Sequence, residues 1–452
     1  MENSKANYLL YEKPFAAILK FSLFFIIGDL FQQLYNVVDS IIVGKFVSTQ
    51  ALAAIGVASP IMSLVMFMII GFTIGSGIIF SRFFGEKDYL KLKKSVSTAL
   101  FVGLAFTLVV SVFSFALCKP FLILLQTPNE ILKDTLNYLY IIFAANIFTF
   151  LYNFFCYAIR SIGDSFVPLV FLIVSIFINA VLDLLFVLGF NMGIQGAAFA
   201  TLLAQIIASI MVIIYTYKKV ELIKLGKKDF VFDTQLAKSI LSYSSAVSLQ
   251  QTFVYIGRIS VQGLFNSYGT EVIAGVNAAE KINALFQTPF RGYANALTTY
   301  YSQNLGAKQL GRIFQGYKTS WIMVFIMGGI FSVIGCVFSD QFAALFMQEE
   351  STSALEYGSK FIWAMSIGFV LAFIIVQHQS FMRGMGYLKI FFFSTVIAIV
   401  FRIIFSYLFD HIFGLDAVFY APVCSWVIGL LYNLICMIVV YKKDYSKQNW
   451  NW

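Results

Sequence analysis

The chain has 452 residues, 60% hydrophobic and 18% aromatic but only 12% charged, with a mean hydropathy of +0.84. A soluble protein carries about twice that share of charge, so a water-soluble enzyme or nucleic-acid-binding module is excluded and the chain reads as a polytopic membrane protein. The net charge of +9 then becomes a question of which loops hold the basic residues.

The amino-terminal stretch MENSKANYLLYEKPFAAILK has no small-residue cleavage site, and the apolar run behind it is too long for a signal peptide, so it reads as a retained first span. Runs of about 20 or more apolar residues predict an all-α bundle of twelve transmembrane helices. They lie near 15–43, 51–81, 95–118, 134–159, 166–190, 194–216, 239–266, 271–302, 313–338, 357–382, 389–410 and 417–441. Basic residues collect after spans 2, 6, 8, 10 and 12, for example Lys91, Lys93, Lys94, Lys227, Lys228, Arg312 and Lys442, whereas the loop 339–356 is acidic. The positive-inside rule therefore predicts cytoplasmic termini in a cell-membrane protein. Cys118, Cys156, Cys336, Cys424 and Cys436 lie far apart without metal or redox spacing and read as packing residues.

The sequence repeats. GEKDYLKLKK from Gly85 is similar to GAKQLGRIFQ from Gly306, an offset of 221, and YAIRSIG from Tyr157 is similar to SFMRGMG from Ser380, an offset of 223. The expected organisation is an N-lobe over 1–217 and a Lys-rich cytoplasmic linker over 218–238. A C-lobe over 239–441 and a cytoplasmic tail over 442–452 complete it. With six spans each, the lobes share one membrane orientation, which predicts a pseudo-two-fold axis along the membrane normal and alternating access around a central site.

Polar residues inside the spans are the functional candidates, because a charge at the bilayer centre costs about 2.5–3.5 kcal/mol on the insertion scale. On span 1, Asp29, Gln32, Asn36 and Asp39 share an arc of about 80° at 100° per residue. Span 5 carries Asn179 and Asp183 one turn apart, and Thr201 lies about seven residues into span 6. Asp39, Asn179, Asp183 and Thr201 are thus expected at one depth in the outer half of the N-lobe. Two nearby carboxylates in a low dielectric repel one another, and binding a proton or a sodium ion relieves that repulsion. In the C-lobe, Arg258, the pair Glu280–Lys281, His378 and Arg402 stand within spans; Arg402 is the repeat counterpart of Asn179. Glu280 is a candidate partner for the two arginines, and His378 is either a satisfied bundle histidine or a proton-linked group.

These features lie in an ordered set of motifs: VDSIIVG with LAAIGVASP, FFGEKD after span 2, and RSIGDS after span 4. NAVLDLLFVLGFNMGIQGAAFAT follows in spans 5 and 6, and AAEKINALFQTPFRGYANALTTYYSQNLGA in span 8. Over essentially its whole length the chain resembles the multidrug and toxic compound extrusion (MATE) family of secondary transporters. The resemblance implies a two-lobed antiporter exporting cationic or amphipathic compounds in exchange for inward sodium ions or protons. It assigns the coupling-ion site, a sodium site if that is the ion, to Asp39, Asn179, Asp183 and Thr201. It places Gln32, Tyr138 and Asn153 around the same cavity, beside Asn36 and Asp29. The branch of the family with acidic residues in spans 7 and 10 is not matched, since SLQQTFVYIGR and GFVLAFIIVQHQS hold no carboxylate. No cofactor beyond the coupling ion, no nucleic acid and a monomeric state are expected. A rival reading, a flippase for lipid-linked saccharides or another anionic amphiphile, requires Arg258 and Arg402 to face a basic cavity. An intramembrane enzyme is disfavoured because neither a GxGD run nor an HExxH motif is present.

Overall fold

A computed structural model describes residues 7–124, 126–345, 352–440 and 442, and within these the side chains of 35–46, 49, 52 and 352 lie outside the description. The described residues form helices and turns without strands. The long helices are α1 (Pro14–Phe46), α2 (Thr49–Gly85), α3 (Tyr89–Leu124), α4 (Asn129–Ala144), α5 (Asn146–Ser161), α6 (Phe166–Asp183) and α7 (Gly193–Lys219). They continue as α8 (Thr234–Asn266), α9 (Thr270–Gly306), α10 (Leu310–Val337), α11 (Thr352–Ile367), α12 (Phe369–Met385), α13 (Leu388–Phe413) and α14 (Ala421–Val440).

Among the described residues, eight helices are individually long and apolar enough to span a bilayer, and two bent pairs bring the number to ten. The bent pairs are α4–α5 and α11–α12, broken by 41° and 51°, where single spans 4 and 10 were expected. The breaks fall at Ala145 and Gly368, 223 residues apart. Helices α8 and α9, expected as spans 7 and 8, are 33 and 37 residues long but too polar for the same measure. They carry the Arg258, Glu280, Asn283 and Gln287 side chains described below.

The repeat is visible in the backbone punctuation. After α2, Lys87 takes a left-handed φ of 58° and Asp88 N–H reaches back to Phe83 O; after α9, Lys308 takes φ 57° and Gln309 N–H reaches Asn304 O. Gly163 (φ 96°) and Gly386 (φ 92°) end α5 and α12 in the same manner, again 223 residues apart. A left-handed residue followed by this backward bond satisfies the orphan carbonyls of a helix end, so both copies of the motif keep it.

Contacts divide the chain into two compact units, Met1–Leu10 with Ile27–Leu249, and Tyr11–Ile26 with Gln250–Trp452. The division runs through α1 and α8 themselves. In the first unit, Ser244 Oγ donates to Phe72 O at 2.9 Å and Ser248 Oγ to Met68 O at 2.8 Å. This pairing requires glycine opposite: a Cβ on Gly75 or Gly71 would lie 2.4 or 2.6 Å from the Cα of Ser244 or Ser248. Lipid gives helices no hydrophobic reason to associate, so such close small-residue packing and interhelical hydrogen bonds hold them together. Around it, Phe72, Phe80, Phe150 and Phe154 fill the core edge to face. In the second unit, Gly292 is fitted against Ile26 in the same way, and Arg312 donates to Glu12 O. The Lys-rich stretch before α8 is fastened to α3, since Val231 N donates to Ser97 Oγ at 3.0 Å and Asp233 N to Thr98 Oγ1 at 3.1 Å.

Candidate functional site

In the first unit α6 ends at Asp183 and the chain continues as a π-helical turn, Leu184–Gly189. Widened turns of this type are rare and concentrate at functional sites. Asp183 is 1% exposed and Asn179, one turn before it, 3% exposed, so an ionisable group and an amide share the buried face of the last turn of α6. Helix α7 packs on α6 and carries the half-buried Thr201.

The backbone fixes where α1 lies beside them. A Cβ on Gly28 would meet Leu172 Cδ2 of α6 at 3.4 Å, and one on Gly193 would meet Val47 Cγ1 at 3.7 Å. These two contacts set α1 and α6 running in the same direction. Asp39 stands eleven residues beyond Gly28, as Asp183 stands eleven beyond Leu172; it stands eight before Val47, as Thr201 stands eight after Gly193. At about 1.5 Å per residue, the backbones of Asp39, Asp183 and Thr201 fall at one level. The side chains of Asn36 and Asp39 lie outside the described residues. On the same helix Asp29 and Gln32 are half-buried. Tyr138 is buried on α4 at 4% exposure. Asn153 donates to Thr149 O at 2.8 Å, a bond within its own helix. Among the described residues no cluster of three or more His, Cys, Asp or Glu could hold a metal ion.

The polar residues singled out from the sequence of the second unit fall into two separate groups. Glu280 accepts from Arg258 Nη2 at 3.0 Å and from Arg402 Nη2 at 3.2 Å, with Lys281 exposed beside it. His378 is fully buried: Nδ1 donates to Ile374 O at 2.7 Å, so in the neutral ring Nε2 accepts from Tyr317 Oη at 3.0 Å, with Trp321 edge-on at 5.5 Å. Its neighbour Gln377 donates to Ser320 Oγ at 2.6 Å and Tyr317 O at 3.2 Å. Both ring nitrogens of His378 are therefore engaged inside the bundle. Sequence reasoning passed over Tyr317 and Asn283; the i, i+3, i+7 spacing of Glu280, Asn283 and Gln287 was the available signal.

A multi-pass helical chain built from two repeats, with buried ionisable groups in its spans, defines a membrane transporter. The MatE family pattern matches residues 25–185 and 246–408, more than half of the chain and one segment in each repeat, and the chain belongs to that family of transporters. It is 27% identical over 367 residues to the probable multidrug resistance protein YoeA of Bacillus subtilis, covering 78% of each chain. It is 23% identical over 453 residues to the multidrug export protein MepA of Staphylococcus aureus, covering 98% of this chain and 96% of that one. Among solved structures, a MATE protein in complex with MaL6 superposes with a TM-score of 0.90 at 21% identity, covering 97% of this chain and 99% of that one. A MOP superfamily transporter from Pyrococcus furiosus, whose reversed binding-pocket polarity suggests a different function, superposes with a TM-score of 0.90 at 22% identity and the same coverage.

Proposed function

We propose that the protein is a secondary active antiporter of the cell membrane that exports cationic or amphipathic compounds and takes up sodium ions or protons in exchange. Asp39, Asn179, Asp183 and Thr201 form the coupling site, and both termini face the cytoplasm. The relatives, a multidrug export protein in MepA and a probable multidrug resistance protein in YoeA, support the substrate class. The single observation that carries the ion site is the common level of Asp39, Asp183 and Thr201 along α1, α6 and α7, with Asp183 and Asn179 buried.

The mechanism follows from the charges. With Asp39 and Asp183 ionised, a cationic substrate is attracted to the first unit and the carboxylates repel each other. An entering proton or sodium ion cancels one of the two negative charges and so relieves their repulsion, and the amide and hydroxyl oxygens of Asn179 and Thr201 complete an oxygen shell of the kind a hard cation takes. The ion-bound and substrate-bound states thereby disfavour one another, and the size of that difference sets the coupling. A single inward charge gains about 2.3 kcal/mol at 100 mV, and a tenfold gradient adds about 1.4 kcal/mol. The protein works as a monomer, with the ion as cargo and no cofactor.

The test is efflux of a fluorescent organic cation from proteoliposomes under separately imposed sodium and pH gradients. Efflux is expected to follow one of the two gradients and to lose that dependence in Asp39→Asn and in Asp183→Asn. Unchanged coupling in both variants overturns the site; no gradient-driven efflux from the parent overturns the activity.

A further inference from the structure

The arginine cluster of the second unit is not used by a cation-coupling site in the first. Glu280 on α9 accepts from Arg258 on α8 through Oε2 and from Arg402 on α13 through Oε1, and Asn283 Nδ2 lies 3.4 Å from Oε2. Gln287 Nε2 then donates to Asn283 Oδ1 at 2.8 Å, so a polar ladder runs down one face of α9 from the arginines. The three charged residues lie roughly 12–17 Å from the helix ends at Asn266, Thr270 and Phe413, counting about 1.5 Å per residue. In a bilayer with a hydrocarbon core about 30 Å thick, this is near the midplane.

One carboxylate between two guanidiniums leaves one positive charge in excess. Among the described residues, Glu280 is the only carboxylate within ion-pair distance of either arginine. A structural ion pair needs a single arginine, and a second charge at this depth is costly. Both guanidiniums also keep hydrogen-bonding capacity, since each gives only Nη2 to Glu280 out of five N–H groups. The Nε of Arg402 is buried without a hydrogen-bond partner among the described residues, and the Arg258 side chain is 47% exposed.

We propose that Arg258 and Arg402 form a binding site for one anionic group, a phosphate or carboxylate carried on an amphiphile. Glu280 holds the two guanidinium forks together before the ligand arrives. A singly charged anion entering beside Glu280 brings the cluster to neutrality, and planar forks suit the paired oxygens of phosphate and carboxylate. Asn283 and Gln287 continue the polar surface along α9 for neutral polar groups next to the anion. The same chemistry serves a transported amphiphile arriving from water or a phospholipid headgroup arriving from the bilayer.

The experiment is a titration of the purified full-length protein in neutral detergent with decyl phosphate, followed by tryptophan fluorescence, with decyltrimethylammonium as the cationic control. Saturable decyl phosphate binding is expected, weakened at least tenfold in Arg402→Gln and Arg258→Gln and unchanged in Asp183→Asn. Glu280→Gln is expected to tighten it severalfold, because the competing carboxylate is gone; a purely structural cluster would not respond in that direction. If Arg402→Gln does not fold, Arg402→Lys takes its place, and an intermediate loss is expected. A second titration in phosphatidylcholine nanodiscs, with and without phosphatidylglycerol, separates the sources. Suppression of decyl phosphate binding by phosphatidylglycerol assigns the site to lipid headgroups, and undiminished binding assigns it to an amphiphile arriving from water. Absent binding, equal affinity in the arginine variants, or weakening in Glu280→Gln overturns the proposal.

Discussion

Helices α6 and α13 occupy corresponding places in the two repeats, 223 residues apart, and differ in the polar side chains they carry. Asn179 in the first corresponds to Arg402 in the second, and Asp183 to Ser406, whose hydroxyl only bonds back to Arg402 O at 2.8 Å. Around this change the punctuation is constant: Lys87 with Lys308, Gly163 with Gly386, Asn191 with Gly414 all take positive φ. Turns and close helix contacts have few chemical solutions, so both repeats retain them. Side chains at mid-helix can change without disturbing the helix that carries them, and here they have diverged from acidic to basic.

The sharpest way to break this comparison is to remove the acid from each repeat. Asp183→Asn is expected to keep the folded yield and abolish ion coupling, because the amide has the same shape. Glu280→Ala is expected to destabilise the second unit by about 2–3 kcal/mol, since it leaves two adjacent guanidiniums unneutralised. That is below the roughly 3–5 kcal/mol of a fully buried pair because Arg258 is half-exposed. Thermal unfolding in detergent measures both; equal losses would show that the two acids have one role. Gly75→Ala comes next, at about 1–3 kcal/mol, because its Cβ would meet the Ser244 backbone rather than a yielding side chain. It should show as reduced monodisperse yield.

A smaller effect separates the two copies of the turn after α2 and α9. Asp88 caps α3 by accepting from Lys91 N at 3.0 Å, and that bond together with the Lys91 ammonium holds its carboxyl below the usual aspartate value. The counterpart Gln309 gives α10 no such cap. Asp88→Ala is expected to cost, and Gln309→Asp to gain, about 0.5–1 kcal/mol. Because the folded value of Asp88 is lowered, its contribution is full above about pH 4 and fades as pH falls through the folded value. Melting curves of Asp88→Ala and the parent should therefore converge in acid. The smallest change is Lys308→Gly. Relief of the left-handed strain, about 1–2 kcal/mol, is largely offset by the roughly 0.5–1 kcal/mol entropy cost of glycine, so a rise in Tm near the limit of measurement is expected.

Much of the fold was legible because hydropathy and repeat offsets report directly on lipid and on turns. Paired motifs alone mark the helix ends at Gly85 and Gly306. The breaks within spans 4 and 10 carry no such mark, because Ala145 is not a breaker and Gly368 alone is ambiguous. The π turn after Asp183 was likewise silent, since Leu184–Gly189 reads as ordinary apolar helix. Sequence spacing named Glu280 as one candidate partner for the arginines, but a single acid serving both is a tertiary fact. The level shared by Asp39, Asp183 and Thr201 was accessible from both directions, as helix counting needs only the ends and the rise.

The unit boundary inside α1 and α8 has a consequence for biosynthesis. Residues 11–26 leave the ribosome well before the partners they pack against, such as Gly292 on α9. The first unit is likewise incomplete until Ser244 and Ser248 emerge on α8. Neither repeat can finish assembling on its own, so a nascent chain halted after α7 would present the insertion machinery with two unfinished bundles rather than one finished and one absent.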